Sequence, residues 1–95
     1  MLSQIPISLN KVKPADLDKE VLRAAIIAEL DAVSLYEQLA AMTDNPHLKT
    51  VFLDVAKEEK THAGEFQAML LRLDPEQKEE LVHGAEEVEE LVGKA

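Results

Sequence analysis

The chain has 95 residues, no cysteine, and 19 acidic against 10 basic side chains, for a net charge of −9. A domain this small buries a modest share of its surface when it folds alone, so partner chains are a natural source of further stability, and without cysteine neither disulfides nor a thiolate metal site can substitute for them. The acidic balance repels nucleic-acid phosphates and anionic lipid and favours cations near the surface. No basic segment leads into an apolar run at the start, and nowhere is there a run of about 18 apolar residues. A soluble, cytoplasmic protein without a secretory signal or membrane span is expected.

In chain order, residues 1–13 mix Pro6, Ser8 and Asn10 with apolar residues and lack a helical period. They read as an extended arm whose alternating Ile5, Ile7 and Leu9 suit contact with a neighbour. Pro14 and Asp16 are helix start signals, since proline fits a first turn and an acidic side chain complements the positive end of the helix dipole. Nothing breaks that helix until about Met42. In "TDNPH", Asn45 is the expected N-cap and Pro46 the first residue of a second helix running to about Leu73. At "LDPEQ", Asp74 caps a third, shorter helix with Gln77 three residues on, and Gly84 is expected to end it. The tail "AEEVEELVGKA" then reads as a fourth, weakly held acidic helix. The fold class is all-α: an antiparallel two-helix hairpin over 14–73 and a short C-terminal helical segment over 74–95.

A two-helix hairpin has one broad apolar face that it cannot cover itself, and a second copy would complete a four-helix bundle. On the second helix the face runs through Leu48, Phe52, Val55, Glu59, His62, Phe66, Met69 and Leu73. One residue over, Val51, Asp54, Glu58, Thr61, Glu65, Ala68 and Arg72 form a mostly polar ring that reads as solvated or partner-facing. The first helix repeats the apolar pattern along Leu22, Ile26, Glu29, Val33, Tyr36 and Ala40. A carboxylate on such a stripe is costly unless it is paired or holds a metal, and neither stripe contains a lysine or arginine. Residues three apart on a helix share a side, so Glu59 and His62 can reach one ion, with Glu29 approaching from the facing helix. The Glu-x-x-His pair is counted once in the chain. A di-iron carboxylate site in a four-helix bundle needs two single glutamates and two such pairs, so one chain supplies half and two copies about a two-fold axis supply the whole.

The segments "AIIAELDAVSLYEQLA" and "LDVAKEEKTHAGEFQAMLLRLDPEQ" resemble the encapsulated ferritins, ferritin-like proteins housed inside encapsulin shells. The likeness covers roughly residues 14–80 and is strongest to the archaeal-type branch, in which this domain precedes or is fused to the shell protein. It implies ferritin-like hairpins that dimerise and then form a decameric ring, with a di-iron ferroxidase centre between subunits. Its ligands fall on Glu29, Glu59 and His62, with Tyr36 as the tyrosine beside the centre. The family's acidic pair at the metal entrance falls on Ala28 and Asp31, so half of it is missing. The implied reaction is oxidation of Fe(II) by dioxygen, two iron ions per subunit pair, with the mineral stored inside the encapsulin compartment. By ligand type alone, zinc or manganese also suits oxygen and imidazole donors. The bland alternatives are a local polar contact for Glu59 and His62, simple packing for Tyr36, and solvated positions for Asp31, His47, His83, Glu58 and Glu65. At the level of function they are a non-catalytic oligomerisation or shell-adaptor module, or a rubrerythrin-like peroxidase. The last is disfavoured because rubrerythrins usually complete their site within one longer chain, often beside a cysteine-ligated iron.

Overall fold

The computed structural model describes Gln4 and residues 8–95. The arm residues Ile5 and Ile7 lie outside that set, as does the side chain of Leu9. Two short 3₁₀ turns, Leu9–Lys11 and Pro14–Asp16, lead into helix α1, Leu17–Met42; helices α2, Pro46–Leu73, and α3, Pro75–Val92, come next. No strand occurs among the described residues, and the fold is all-α.

The α1–α2 turn is closed by the residues expected to close it. Asn45 Oδ1 accepts from the backbone N–H groups of His47 at 2.9 Å and Leu48 at 3.2 Å, satisfying two donors that the start of α2 leaves open, and Pro46 occupies the first turn. Lys49 Nζ donates to the Ala40 carbonyl at 2.9 Å, tying the end of α1 to the start of α2. At the α2–α3 elbow, Asp74 Oδ1 accepts from the Gln77 N–H at 3.0 Å, while the Asp74 N–H donates to Leu70 O at 2.9 Å. Only one half of the capping box therefore forms, because the other donor is already used by α2.

Two expectations are corrected. Gly84 does not end a helix: α3 runs through it to Val92 and stops before Gly93, whose φ of 85° suits glycine. An interior glycine costs only about 1 kcal/mol relative to alanine, too little to break a run whose neighbours on both sides favour helix. His83 is accordingly mid-helix rather than near a helix end. The α2 face is also broader than the expected stripe: Phe52, Val55, Glu59, His62 and Phe66 are half-buried, as expected, but the fully buried residues are Ala56 and Leu70, and the stripe ends Leu48, Met69 and Leu73 are about half exposed. Alanine carries little weight in an apolar pattern because it is small, yet Ala56 is only 2% exposed. On α1 every expected stripe residue is buried or half-buried, with Val33 and Ala40 buried outright.

The molecule is thin and open. It measures 47 × 41 × 19 Å, about two helix diameters thick, with α3 standing off the hairpin. Its radius of gyration is 16.6 Å, where a compact chain of this length has roughly 12 Å. It exposes 7491 Å², where a compact monomer of its mass exposes about 5,400 Å². The elbow is nonetheless braced: Arg23 reaches from α1 to Asp74 Oδ2 at 2.7 Å while also holding Glu20 at 2.9 Å.

Candidate metal centre

Near the middle of the hairpin, α1 presents Glu29 and α2 presents Glu59 and His62 into the same space. His62 Nδ1 lies 3.6 Å from Glu29 Oε2 and 3.6 Å from Glu59 Oε1. One ligand atom from each residue can be chosen so that all lie within 4.8 Å of one another, and among the described residues no other group of three or more possible ligands does so. The antiparallel register brings this about, because it sets the middle of one long helix beside the middle of the other.

The two carboxylates are largely covered, with side chains 20% and 19% exposed, while His62 is 45% exposed. Glu29 Oε2 is sealed from solvent and has no hydrogen-bond partner. When both carboxylates are ionised neither can donate to the other, so the buried oxygen has a second negative charge beside it and only the His62 imidazole, 3.6 Å away, to offset it. The Glu29 carboxyl is pushed above its ordinary value, first by the hydrogen bond that a shared proton makes with Glu59, then by burial and by the Glu59 charge. His62 pulls the other way and does not prevail. A buried, unpartnered oxygen beside a second carboxylate and an imidazole fits a divalent cation, which supplies the missing positive charge. This oxygen and nitrogen donor set suits iron, manganese or zinc.

The remaining candidates sit elsewhere. Asp31 is half-buried on α1 and outside the cluster, two residues and about 200° around the helix from Glu29. Ala28 is exposed and offers no ligand atom. Tyr36 lies two turns along α1 from Glu29 and stacks on Phe52, ring centroids 6.4 Å apart and planes at 20°. His47 is exposed at the start of α2, and Glu58 and Glu65 are exposed on its outer side.

The Glu-x-x-His count needs correction too. Glu80 and His83 on α3 form a second such pair, Oε1 to Nδ1 at 3.4 Å, with side chains 62% and 51% exposed. Spacing alone does not separate the two pairs. Burial and a third carboxylate from a facing helix do.

The rubrerythrin family profile matches residues 20–94. The chain is 54% identical to a ferritin-like–encapsulin shell fusion protein of Pyrococcus furiosus, over 98% of its own length and 28% of the relative's. It is 42% identical to the encapsulin nanocompartment cargo protein EncC of Myxococcus xanthus, over 84% of its own length and 58% of the relative's. The chain thus spans little more than a quarter of the one and just over half of the other. The crystal structure of the encapsulated ferritin domain from Pyrococcus furiosus superposes with a TM-score of 0.83 at 52% identity, over 99% of this chain and 98% of that one.

Proposed function

Because the chain belongs to the rubrerythrin family, on the branch of the encapsulated ferritin-like proteins, we propose that it is a ferroxidase that oxidises Fe(II) to Fe(III) with dioxygen at a site completed by two copies. The observation that carries this reading is Glu29 Oε2, buried without a hydrogen-bond partner between Glu59 and His62. One chain offers two carboxylates and one imidazole. A two-fold partner doubles the set to four and two, enough to hold two iron ions as substrate, and covers apolar surface that the open hairpin leaves bare.

Within that reading Glu29, Glu59 and His62 bind and orient the iron, and each Fe(II) gives up one electron to dioxygen. Burial of the carboxylates keeps water from competing for the ions. Asp31 attracts incoming cations, and Tyr36, held by Phe52, closes the site on the side of the interhelical turn. An open hairpin encloses no storage cavity, so the ferric product is deposited outside the protein. The encapsulin-associated relatives support a shell as the receiving compartment, with the protein inside it in the cytoplasm; the joining of dimers into a decameric ring belongs to the same proposal and rests on the family resemblance alone.

The test is aerobic addition of Fe(II), following ferric absorbance and oxygen uptake for wild type and for Glu29→Ala, Glu59→Ala and His62→Ala. A rate that depends on all three residues is expected. A shell adaptor or passive oligomerisation module would show no such dependence. The rubrerythrin match favours one further arm, hydrogen peroxide in place of dioxygen under anaerobic conditions. Faster turnover with peroxide would make the protein a peroxidase.

A further inference from the structure

The hairpin is built in layers across the α1–α2 seam. Tyr36 stacks on Phe52 in one layer, and Glu29 meets Glu59 and His62 in another. Between them, one turn from each, both helices carry a buried apolar residue, Val33 on α1 at 9% exposed and Ala56 on α2 at 2%. The separation of two packed helices depends on the size of the side chains at their contact. We infer that Val33 and Ala56 are positioning residues: the valine–alanine layer holds α1 and α2 at the spacing that lets Glu29 share an ion with Glu59 and His62. This rests on the proposed metal role of those three residues.

The tolerance is narrow. Two donors on one ion, each about 2.1 Å from it, lie at most about 4.2 Å apart. His62 Nδ1 stands 3.6 Å from an oxygen of each carboxylate, inside that limit by only about 0.6 Å, so a small parting of the helices takes Glu29 out of reach of a shared ion. A valine at position 56 adds two methyl groups at a site that is already only 2% exposed. Either the helices move apart or Val33 leaves its rotamer, and the first outcome separates the carboxylates one turn away. Ala40 provides the control. It is equally buried at 2% and sits on the same face of α1, but lies about 16 Å along the helix from Glu29.

The experiment is an anaerobic Co(II) titration of the full chain, read by visible absorbance, with circular dichroism confirming that each variant is folded. Ala56→Val is expected to weaken Co(II) binding about tenfold or more, the usual scale for losing a residue that orients metal ligands. Ala40→Val, with the same added volume, leaves the affinity unchanged. The exchange Ala56→Val with Val33→Ala returns the layer to its original volume and recovers binding. Val33→Ile, one added methylene, gives a milder weakening and serves if Ala56→Val does not fold. Equal effects of Ala56→Val and Ala40→Val, or no effect of Ala56→Val and Val33→Ile, would overturn the inference, as would failure of the exchange to recover binding. If the wild type itself shows no Co(II) binding dependent on Glu29, Glu59 and His62, the functional reading falls and this inference falls with it.

Discussion

Glu29 and His62 stand 3.6 Å apart, carboxylate to imidazole, across two helices and 33 residues of chain, and the imidazole does not offset what Glu59 imposes on the same carboxylate. The Glu29 carboxyl is raised in the folded, metal-free protein, so it binds protons more tightly there than in the unfolded chain. Its contribution to stability is complete below the ordinary carboxyl range and is lost as pH rises through the raised value. Glu29→Gln supplies permanently what the proton supplies, a neutral group able to donate to Glu59. After chelator treatment the Gln variant is expected to melt above wild type at pH 7, with the gap closing as pH falls towards 4. Added divalent metal reverses the order, since it stabilises only the chain that binds it. A gap that does not change with pH would show that Glu29 carries no such penalty.

The two Glu-x-x-His pairs make an internal comparison. His62→Ala removes an imidazole from a covered cluster of three, whereas His83→Ala removes one from an exposed pair on α3. Isothermal titration with Co(II) is expected to show His62→Ala losing more affinity than the roughly 10–100-fold typical of an outer-shell partner, with His83→Ala indistinguishable from wild type. Equal losses would mean that the burial argument selects the wrong pair.

The difference between these pairs also marks what sequence can and cannot disclose. Helical periodicity places Glu29, Glu59 and His62 on facing stripes, because a charged residue interrupting an apolar period is visible in one dimension. The cap residues Asn45 and Asp74 are equally legible, since capping is local chemistry. Ala56 is not, because alanine occurs as readily on a solvated face as in a packed seam, and only its burial in the folded chain distinguishes the two. Gly84 misleads for a related reason: whether a glycine ends a helix depends on the residues beyond it, and Gly93 supplies a better stop. The stand-off of α3 from the hairpin has no local signature, because the direction of a helix relative to its neighbours is set by tertiary contacts, and the brace at the elbow, Arg23 on Asp74, joins residues 51 apart in the chain.

That pair carries its own expectation. Asp74 Oδ2 is held by Arg23 at 2.7 Å, and the aspartate side chain is only 12% exposed while the arginine is 41% exposed. Arg23→Ala leaves a largely covered carboxylate without its partner. The partial exposure of the arginine keeps the loss near about 1–2 kcal/mol, below that for a fully buried pair. Chemical denaturation should show this loss, and amide exchange should speed up in the first turns of α3 before it does so in α1. Asp74→Ala removes the N-cap as well and is expected to cost more than Arg23→Ala. If the two variants were equal in stability, the cap would contribute nothing measurable beyond the ion pair.

The glycines of α3 give the sharpest contrast between two positions of one residue type. A Cβ built at Gly84 meets nothing within 4 Å, and the residue is exposed in the helix interior. Gly84→Ala therefore removes backbone freedom from the unfolded chain without a clash and is expected to stabilise the helix by about 0.5–1 kcal/mol. A Cβ at Gly93 also meets nothing, but the φ of 85° is one that side chains disfavour, so open space does not make that substitution neutral. Gly93→Ala is expected to fray the last turn of α3. Because α3 meets the rest of the molecule chiefly at its start, both effects are local. Amide exchange over residues 85–92 should slow in Gly84→Ala and quicken in Gly93→Ala, with the global denaturation midpoint little changed in either. A large rise in the midpoint of Gly84→Ala would mean instead that α3 unfolds together with the hairpin, and the elbow at Asp74 would then be a rigid joint rather than the boundary of a separately fraying helix.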